Sequence, residues 1–131
     1  MRVRSLNGKW KYAIGKRDMG EINVPYSALC VGKSSVERTF DSGCESEAVL
    51  LRFERITYGA AIFFNGVKIG VTLPYVEYTF DVTDKIKAKD NLLRIEIEDI
   101  NVPFGPTAGW ENYGSVGNVE LLYGPLSALR E

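Results

Sequence analysis

The sequence predicts an all-β sandwich or barrel, and three observations indicate this class. Apolar and polar residues alternate over 76–82 and again over 93–97, which is typical of strands with one buried face. Asn65-Gly66 lies between two apolar runs, and both residues tolerate a positive φ, so a hairpin is predicted there. No segment has a long helical period. Several short strands joined by turns are typical of a sandwich or a barrel.

The individual strands follow from the same patterns. In chain order they are predicted at 9–14, 37–41, 49–53, 60–64, 67–69, 76–82, 93–97 and 119–123. Trp10 is predicted to anchor the core beside the first strand. The segment 83–86 resembles one helical turn capped by Thr83, and Asp90-Asn91 is typical of a turn. The one long irregular stretch runs over 99–116, and a loop of that length is usually functional or mobile.

The composition is that of an ordinary soluble globular protein. Of its 131 residues, 45% are hydrophobic and 25% are charged. A chain of this length buries roughly two-thirds of its unfolded surface, so 1–131 is predicted to be one β-sandwich domain. A net charge of -1 without long charge runs argues against nucleic-acid and membrane partners. Since neither a signal peptide nor a long apolar stretch is evident, a soluble, cytoplasmic protein is expected.

The chemistry available to the chain is narrowed by its residue inventory. There is no histidine, the side chain best suited to proton transfer near neutral pH and a common metal ligand. Two carboxylates alone can still hydrolyse a glycoside, so this absence does not decide the question. Cys30 and Cys44 lie outside any CxxC spacing, which favours reduced thiols and leaves a disulfide open. No cofactor and no metal is predicted, because no corresponding motif is present.

The irregular stretch 99–116 is the candidate binding site. Aromatic rings cover the flat apolar faces of sugars while neighbouring polar groups bond their hydroxyls. The candidate carbohydrate-binding residues are Phe104, Trp110, Glu111, Asn112 and Tyr113. The alternative is structural, because Trp110 and Tyr113 can also fold back and close one end of the sandwich.

A second candidate is a pair of carboxylates on one predicted strand. Glu96 and Glu98 share a strand face with Cα atoms roughly 7 Å apart, which overlaps the separations of glycosidase carboxylate pairs. Both alternate with buried isoleucines, however, and therefore point to solvent, where water is not excluded from a general acid. A solvated strand face is the prediction, and no catalytic residue is assigned.

Nine segments follow one another in an order and spacing found in a known family. They are Leu6–Tyr12, Ile22–Ser27, Val36–Phe40, Leu50–Ile56, Tyr58–Gly70, Phe80–Asp84, Asn91–Leu93, Trp110–Gly114 and Asn118–Leu121. In this order they resemble the N-terminal, sugar-binding domain of family 2 glycoside hydrolases, which include β-galactosidases, β-glucuronidases and β-mannosidases. One of these segments, Phe80-Asp81-Val82-Thr83-Asp84, is similar to the family's F-D-V-T-D.

This resemblance implies a jelly-roll β-sandwich related to galactose-binding domains. In the family, an immunoglobulin-like domain and a (β/α)₈ barrel follow, and the barrel carries both catalytic glutamates. The chain is therefore expected to be a fragment or an orphan of such an enzyme, non-catalytic by itself. Its expected partners are carbohydrate and those two domains.

Three departures from the family pattern weigh against direct substrate contact. The segment 71–77 lacks the family's x-H-x-G-G-Y-x-P-F. Ala108-Gly109 stands where the galactosidase branch has an acidic residue that helps hold a substrate hydroxyl, and Gly117 stands where the family has an arginine. These departures also weaken an assignment to a β-galactosidase.

Three functions follow from the sequence as alternatives. An accessory domain that shapes the pocket of a separate catalytic barrel predicts an exposed apolar patch where the barrel docks. A free-standing carbohydrate-binding module predicts sugar binding that is lost in Trp110→Ala. A structural or protein-interaction sandwich predicts self-association that is indifferent to sugar.

Overall fold

The chain folds into twelve β-strands. The computed structural model describes residues 2–29, 33–42, 48–56, 59–73, 76–98 and 113–124, with the backbone alone described for 27–29, 98 and 113–115. The strands are β1 (Arg2–Ser5), β2 (Gly8–Ile14), β3 (Arg17–Val24), β4 (Tyr26–Leu29), β5 (Lys33–Phe40), β6 (Ala48–Phe53), β7 (Gly59–Phe64), β8 (Val67–Thr72), β9 (Tyr78–Asp81), β10 (Asn91–Glu98), β11 (Tyr113–Val116) and β12 (Val119–Gly124). These ranges contain no helix, and hence none that could span a membrane. The predicted all-β class is confirmed.

Two antiparallel sheets form a sandwich. One has four strands in the order β1-β12-β6-β9, and the other has six in the order β3-β2-β5-β10-β7-β8. A short separate ladder joins β11 to β4. Because side chains of a strand alternate between its two faces, each large sheet turns one apolar face inward and one toward solvent.

The core lies between the two large sheets. The six-stranded sheet contributes Val36, Ile62 and Ile95, and the four-stranded sheet contributes Leu51 and Leu121, all of them fully buried.

Trp10 is buried at the edge of this core, as predicted, with 1% of its surface exposed. Its indole Nε1 donates a hydrogen bond of 2.7 Å to the carbonyl oxygen of Leu6. A buried indole N–H requires such an acceptor, so the tryptophan fixes the approach of the chain into β2.

The predicted hairpin at Asn65-Gly66 joins β7 to β8. Both residues have a positive φ, 51° and 83°, as a tight turn of this type requires. The Asn65 side chain does more than tolerate this backbone. Its Oδ1 accepts from the Leu92 backbone N–H at 2.8 Å, and its Nδ2 donates to the Lys85 carbonyl at 2.8 Å and to Asn91 Oδ1 at 3.1 Å.

Asn91 is the fully buried partner in this network. Its Nδ2 donates to the carbonyl oxygens of Lys87 at 2.7 Å and Phe40 at 3.3 Å, and its Oδ1 also accepts from the Lys87 N–H at 2.8 Å. Both amide hydrogens and the amide oxygen are therefore satisfied. The two asparagines together fasten the segment 82–90 to the end of the six-stranded sheet.

The segment 83–86 forms a single turn, as predicted. The Val82 carbonyl accepts from the backbone N–H groups of both Lys85 and Ile86 at 2.9 Å. The cap differs from the prediction, because the side chain of Asp81 accepts from the Thr83 N–H at 2.9 Å and from its hydroxyl at 2.6 Å. These bonds, the hydroxyl's first and the backbone's second, lower the pKa of Asp81.

Two further expectations change. β11 occupies 113–116, so the irregular stretch predicted over 99–116 ends earlier than its composition suggested. Val76 is 45% exposed and precedes β9, although it alternates with Tyr78 and Phe80.

Phe80 joins the edge strands of the two sheets on one side of the sandwich. Its ring stacks on Tyr78 and meets Phe53 edge-on, each with centroids 6.0 Å apart. It also lies against Gly70 of β8, where an added Cβ would stand 2.5 Å from Phe80 Cε1. A glycine at position 70 therefore allows β8 and β9 to approach closely.

Candidate functional site

The candidate carbohydrate-binding residues lie mostly outside the described part of the chain. Phe104, Trp110, Glu111 and Asn112 belong to it, and their role stays a prediction. Tyr113 is the first residue of β11, where its backbone pairs with that of Leu29. The described residues therefore define the frame from which the predicted loop begins and to which it returns.

Both ends of that frame are built on strands. The chain leaves β10, which lies between β5 and β7 in the six-stranded sheet, at Glu98. It returns through β11, which is antiparallel to β4 from Tyr113 to Val116. Val116 also bridges Ile56, and both side chains are buried. Sites carried by loops are best positioned when rigid elements hold both ends of the loop.

An asparagine network fixes the chain just after β11. Asn118 Nδ2 donates to Glu54 Oε2 at 3.0 Å, and Asn118 Oδ1 accepts from Asn7 Nδ2 at 2.8 Å. Asn7 Oδ1 in turn accepts from the Val119 N–H at 3.1 Å. Three distant segments are thereby tied together at the base of the loop. The sequence contained a signal for this, since Asn7 belongs to the L-N-G-x-W segment of the resemblance.

Gly117 lies in the same network, in close contact with backbone. Its N–H donates to the Arg55 carbonyl at 2.8 Å. An added Cβ would stand 2.8 Å from Glu54 Oε1 and 3.3 Å from the Arg55 carbonyl oxygen. No side chain is accommodated at position 117 unless its neighbours move, so this departure from the family pattern is matched by the local packing.

The carboxylate candidate Glu96 is exposed on the outer face of the six-stranded sheet. Its Oε2 lies 2.8 Å from Arg94 Nε, and Arg94 Nη1 lies 3.5 Å from Glu37 Oε2. The predicted solvated strand face is confirmed for Glu96. The side chain of Glu98 is not among those described.

A groove of about 580 Å³ occupies the same outer face, beside the ends of β10 and β7. We call it the lysine groove, and its lining includes Lys16, Lys33, Lys68, Ser35, Gly59 and Ala61. Sequence reasoning missed it because its residues come from a turn and several strands that are neighbours only after folding. Among the described residues, no group of three or more acidic or cysteine side chains is placed to hold a metal ion.

Residues 31–102, more than half of the chain, match the model of a protein family described as glycosyl hydrolase 2 galactose-binding domain-like. The chain belongs to this family. The resemblance seen in the sequence is thus confirmed, and the sandwich of two antiparallel sheets is the fold of a galactose-binding-like domain.

Solved structures share the fold of this galactose-binding-like domain. A β-glucuronidase from an uncultured Clostridium sp. superposes with a TM-score of 0.82 at 22% identity, covering 95% of this chain and 29% of that chain. A Faecalibacterium prausnitzii β-glucuronidase gives 0.79 at 17%, covering 95% and 32%. A Bacteroides uniformis β-glucuronidase gives 0.79 at 18%, covering 95% and 18%. The chain thus spans less than a third of each enzyme. A comparison with curated protein sequences gave no match.

Proposed function

We propose that the chain is a non-catalytic domain of a family 2 β-glycosidase of the β-glucuronidase type. In that enzyme it packs against the catalytic and immunoglobulin-like domains, and its loop 99–112 shapes the mouth of the catalytic pocket. The observation that carries the proposal is an exposed apolar surface along one side of the sandwich, considered together with the family membership.

This apolar edge comprises Val67, Val71, Leu73 and Val76, with exposed fractions of 50%, 56%, 63% and 45%. These residues lie on β8 and in the segment between β8 and β9. β8 and β9 are edge strands of the two large sheets. Among the described residues these are four of the six exposed large hydrophobic side chains. Exposed apolar side chains concentrated on one side favour a surface that is covered in the assembled protein.

The backbone of β8 points to the same conclusion. On its outer side β8 has no neighbouring strand within the described sheet, so it presents free N–H and C=O groups beside apolar side chains. Unprotected edges of this kind associate with other chains unless they are covered. The matching region of the Clostridium enzyme is 29% of its length, so other segments of such an enzyme are available as the cover.

The residues described here support a role other than catalysis. Glu96 is exposed and ion-paired with Arg94 rather than held in a water-excluding site. The chain has no histidine to replace such a group. Hydrolysis therefore falls to the other domains, and Phe104, Trp110, Glu111, Asn112 and Tyr113 remain the proposed points of contact with sugar.

Immunoblotting of cells of the source organism, with antibody raised against this 14.6 kDa chain, tests the proposal. The expected result is a band about three times the size of this chain or larger. The protein that the same antibody immunoprecipitates is expected to hydrolyse 4-nitrophenyl β-glucuronide. Matching galactoside and mannoside substrates serve as controls for the type of enzyme. A single band at the size of the chain, with no glycosidase activity captured, refutes the proposal.

The apolar edge is tested separately on the chain itself. The double variant Val71→Ser/Leu73→Ser is expected to reduce the fluorescence of a bound apolar dye and any self-association. Val3→Ser/Met19→Ser is the matched control, because these side chains are also exposed, by 56% and 42%, but lie outside the apolar edge. Equal effects of both pairs contradict a localised docking surface.

A further inference from the structure

The lysine groove is concave because the small residues Ser35 and Ala61 lie on either side of the larger Glu96 on the outer face of the sheet. In the register of the six-stranded sheet, Glu96 of β10 pairs with Ser35 of β5 on one side and with Ala61 of β7 on the other. Neighbouring strands are about 4.8 Å apart, so these three residues form one row across the outer face. Gly59 lies two residues along β7 from Ala61 and extends the low floor toward the end of the sheet.

Glu96, the one acidic side chain that lines the described groove, is already neutralised. Arg94 Nε holds its Oε2 at 2.8 Å, and the same guanidinium reaches Glu37 at 3.5 Å.

The rim carries three more cations. Lys16 lies in the turn after β2, Lys33 begins β5 and Lys68 lies on the edge strand β8. Within the described part of the chain, none of the three lies in an ion pair. A positive excess remains even after counting Glu98, whose backbone pairs with that of Lys33. Lysine ammonium groups bind oxyanions as hydrated point charges that require no fixed geometry.

Ser35 adds a neutral polar group to the lining of the groove. The residue is 9% exposed. Its hydroxyl is not among the buried side-chain oxygens that lack a hydrogen-bond partner, which in the described part of the chain are Thr72 Oγ1 and Tyr123 OH. A hydroxyl in the lining both donates and accepts, so it can bond a ligand oxygen in the groove.

A second hollow on the same face shows the contrast. It measures about 590 Å³, and its charged lining residues are Lys9, Lys11, Arg38, Glu21 and Glu37. The Arg38 guanidinium there donates to the carbonyl oxygens of Leu6 at 2.6 Å and Asn7 at 3.0 Å, so it is already used within the fold. Two carboxylates oppose the two lysines that remain. The lysine groove differs in its larger excess of cations over carboxylates, four to one against three to two.

We propose that the lysine groove binds an anionic carbohydrate, a short oligosaccharide that carries carboxylate or sulfate groups. Lys16, Lys33 and Lys68 bind the anionic groups, and Ser35 bonds a ring, linking or hydroxyl oxygen of the sugar. The site is separate from the loop 99–112, and it shares one lining residue, Val71, with the apolar edge.

The lining favours a charged sugar over other ligands. A volume of about 580 Å³ lies in the range of small-molecule sites. The described lining has no aromatic ring, which excludes stacking as the basis for binding either a neutral sugar or single-stranded nucleic acid. The membership of the chain in a galactose-binding-like family favours a sugar over an acidic peptide.

Isothermal titration of the 131-residue chain at low salt tests the proposal. The probes are a heparin-derived sulfated disaccharide and trigalacturonate, with maltotriose as the neutral control. The anionic probes are expected to bind with an affinity that falls as salt is added, and maltotriose is not. Comparing the sulfated with the carboxylated probe identifies the anionic group.

Variants locate the binding in the groove. Lys33→Gln/Lys68→Gln is expected to weaken binding about tenfold, whereas Lys9→Gln/Lys11→Gln, which removes the same charge from the second hollow, leaves it unchanged. Ser35→Ala weakens binding without changing its salt dependence, and Glu96→Gln strengthens it because a negative charge is removed. Circular dichroism confirms that each variant is folded.

Four results overturn the proposal. They are the absence of binding by both anionic probes, equal losses in the two lysine pairs, equal binding of maltotriose, and tighter binding of a glutamate peptide or an oligonucleotide of equal charge. None of these bears on the immunoblot test of the parent enzyme, so the two proposals fail separately.

Discussion

Replacing Asn91 by aspartate tests how much of the stability of the fold depends on one buried amide. The substitution keeps the shape of the side chain and its acceptor oxygen, which receives the Lys87 N–H and Asn65 Nδ2. It removes both amide hydrogens, which bond the carbonyl oxygens of Lys87 and Phe40. It also introduces a carboxylate at a position with no exposed surface.

The expected loss follows from these contacts. Each buried acceptor left without its donor costs about 1–3 kcal/mol, and burying an unpaired charge adds to this. We therefore expect a loss of roughly 4 kcal/mol in the free energy of unfolding. At about 2.1 cal/mol/K of unfolding entropy per residue, a chain of this length then melts about 15 °C lower.

Urea unfolding at neutral pH, followed by tryptophan fluorescence and by circular dichroism, measures the change. Asn23→Asp is the matched control, because Asn23 is exposed on β3 and the chemical change is the same. We expect that control to shift stability by no more than about 0.5 kcal/mol. A loss below about 1 kcal/mol in Asn91→Asp, or equal losses in both variants, would show that the network does not stabilise the fold as argued.

Three further predictions concern close contacts and pH. Gly70→Ala should destabilise the chain in urea by about 1–3 kcal/mol, and Phe80→Leu should relieve part of that loss; equal loss in both backgrounds contradicts the contact. Gly117→Ala should lower the melting temperature because its Cβ would meet a carboxylate oxygen and a backbone carbonyl, and an unchanged value contradicts this. The hydrogen bonds from Thr83 lower the pKa of Asp81 from its ordinary value of 3.8. These bonds therefore stabilise the folded chain fully at pH values above 3.8, and this stabilisation is lost as the pH falls through the lowered pKa of Asp81. Asp81→Asn should therefore be less stable than the parent near neutral pH and equal to it in strong acid, whereas a constant gap contradicts the linkage.

The strands predicted from the sequence are those that bury one face. β10 alternates cleanly because one of its sides meets the core, and β6 alternates less cleanly. β7 is an apolar run that was predicted from the Asn65-Gly66 turn after it. β1 and β3 were missed because they are edge strands, largely exposed on both faces, and carry no such alternation.

The candidate sites show a sharper limit. Asn7 was the sequence signal for the network at the base of the predicted loop. It belongs to the L-N-G-x-W segment, and its side chain forms hydrogen bonds with Asn118 and Val119. The lysine groove had no signal in the sequence. Its concavity depends on Ser35 and Ala61 lying on either side of Glu96, and that row exists only once three strands from distant parts of the chain are in register.

The pairing of β1 with β12 determines how the domain responds to mechanical force. Arg2 is opposite Tyr123 and Ser5 is opposite Glu120, so the outer ends of both strands lie at the same end of one antiparallel ladder. Tension applied through those ends loads the hydrogen bonds one after another, as in opening a zip, rather than all together in shear. A domain connected in this way is expected to release its edge strand β1 from β12 first, at low force.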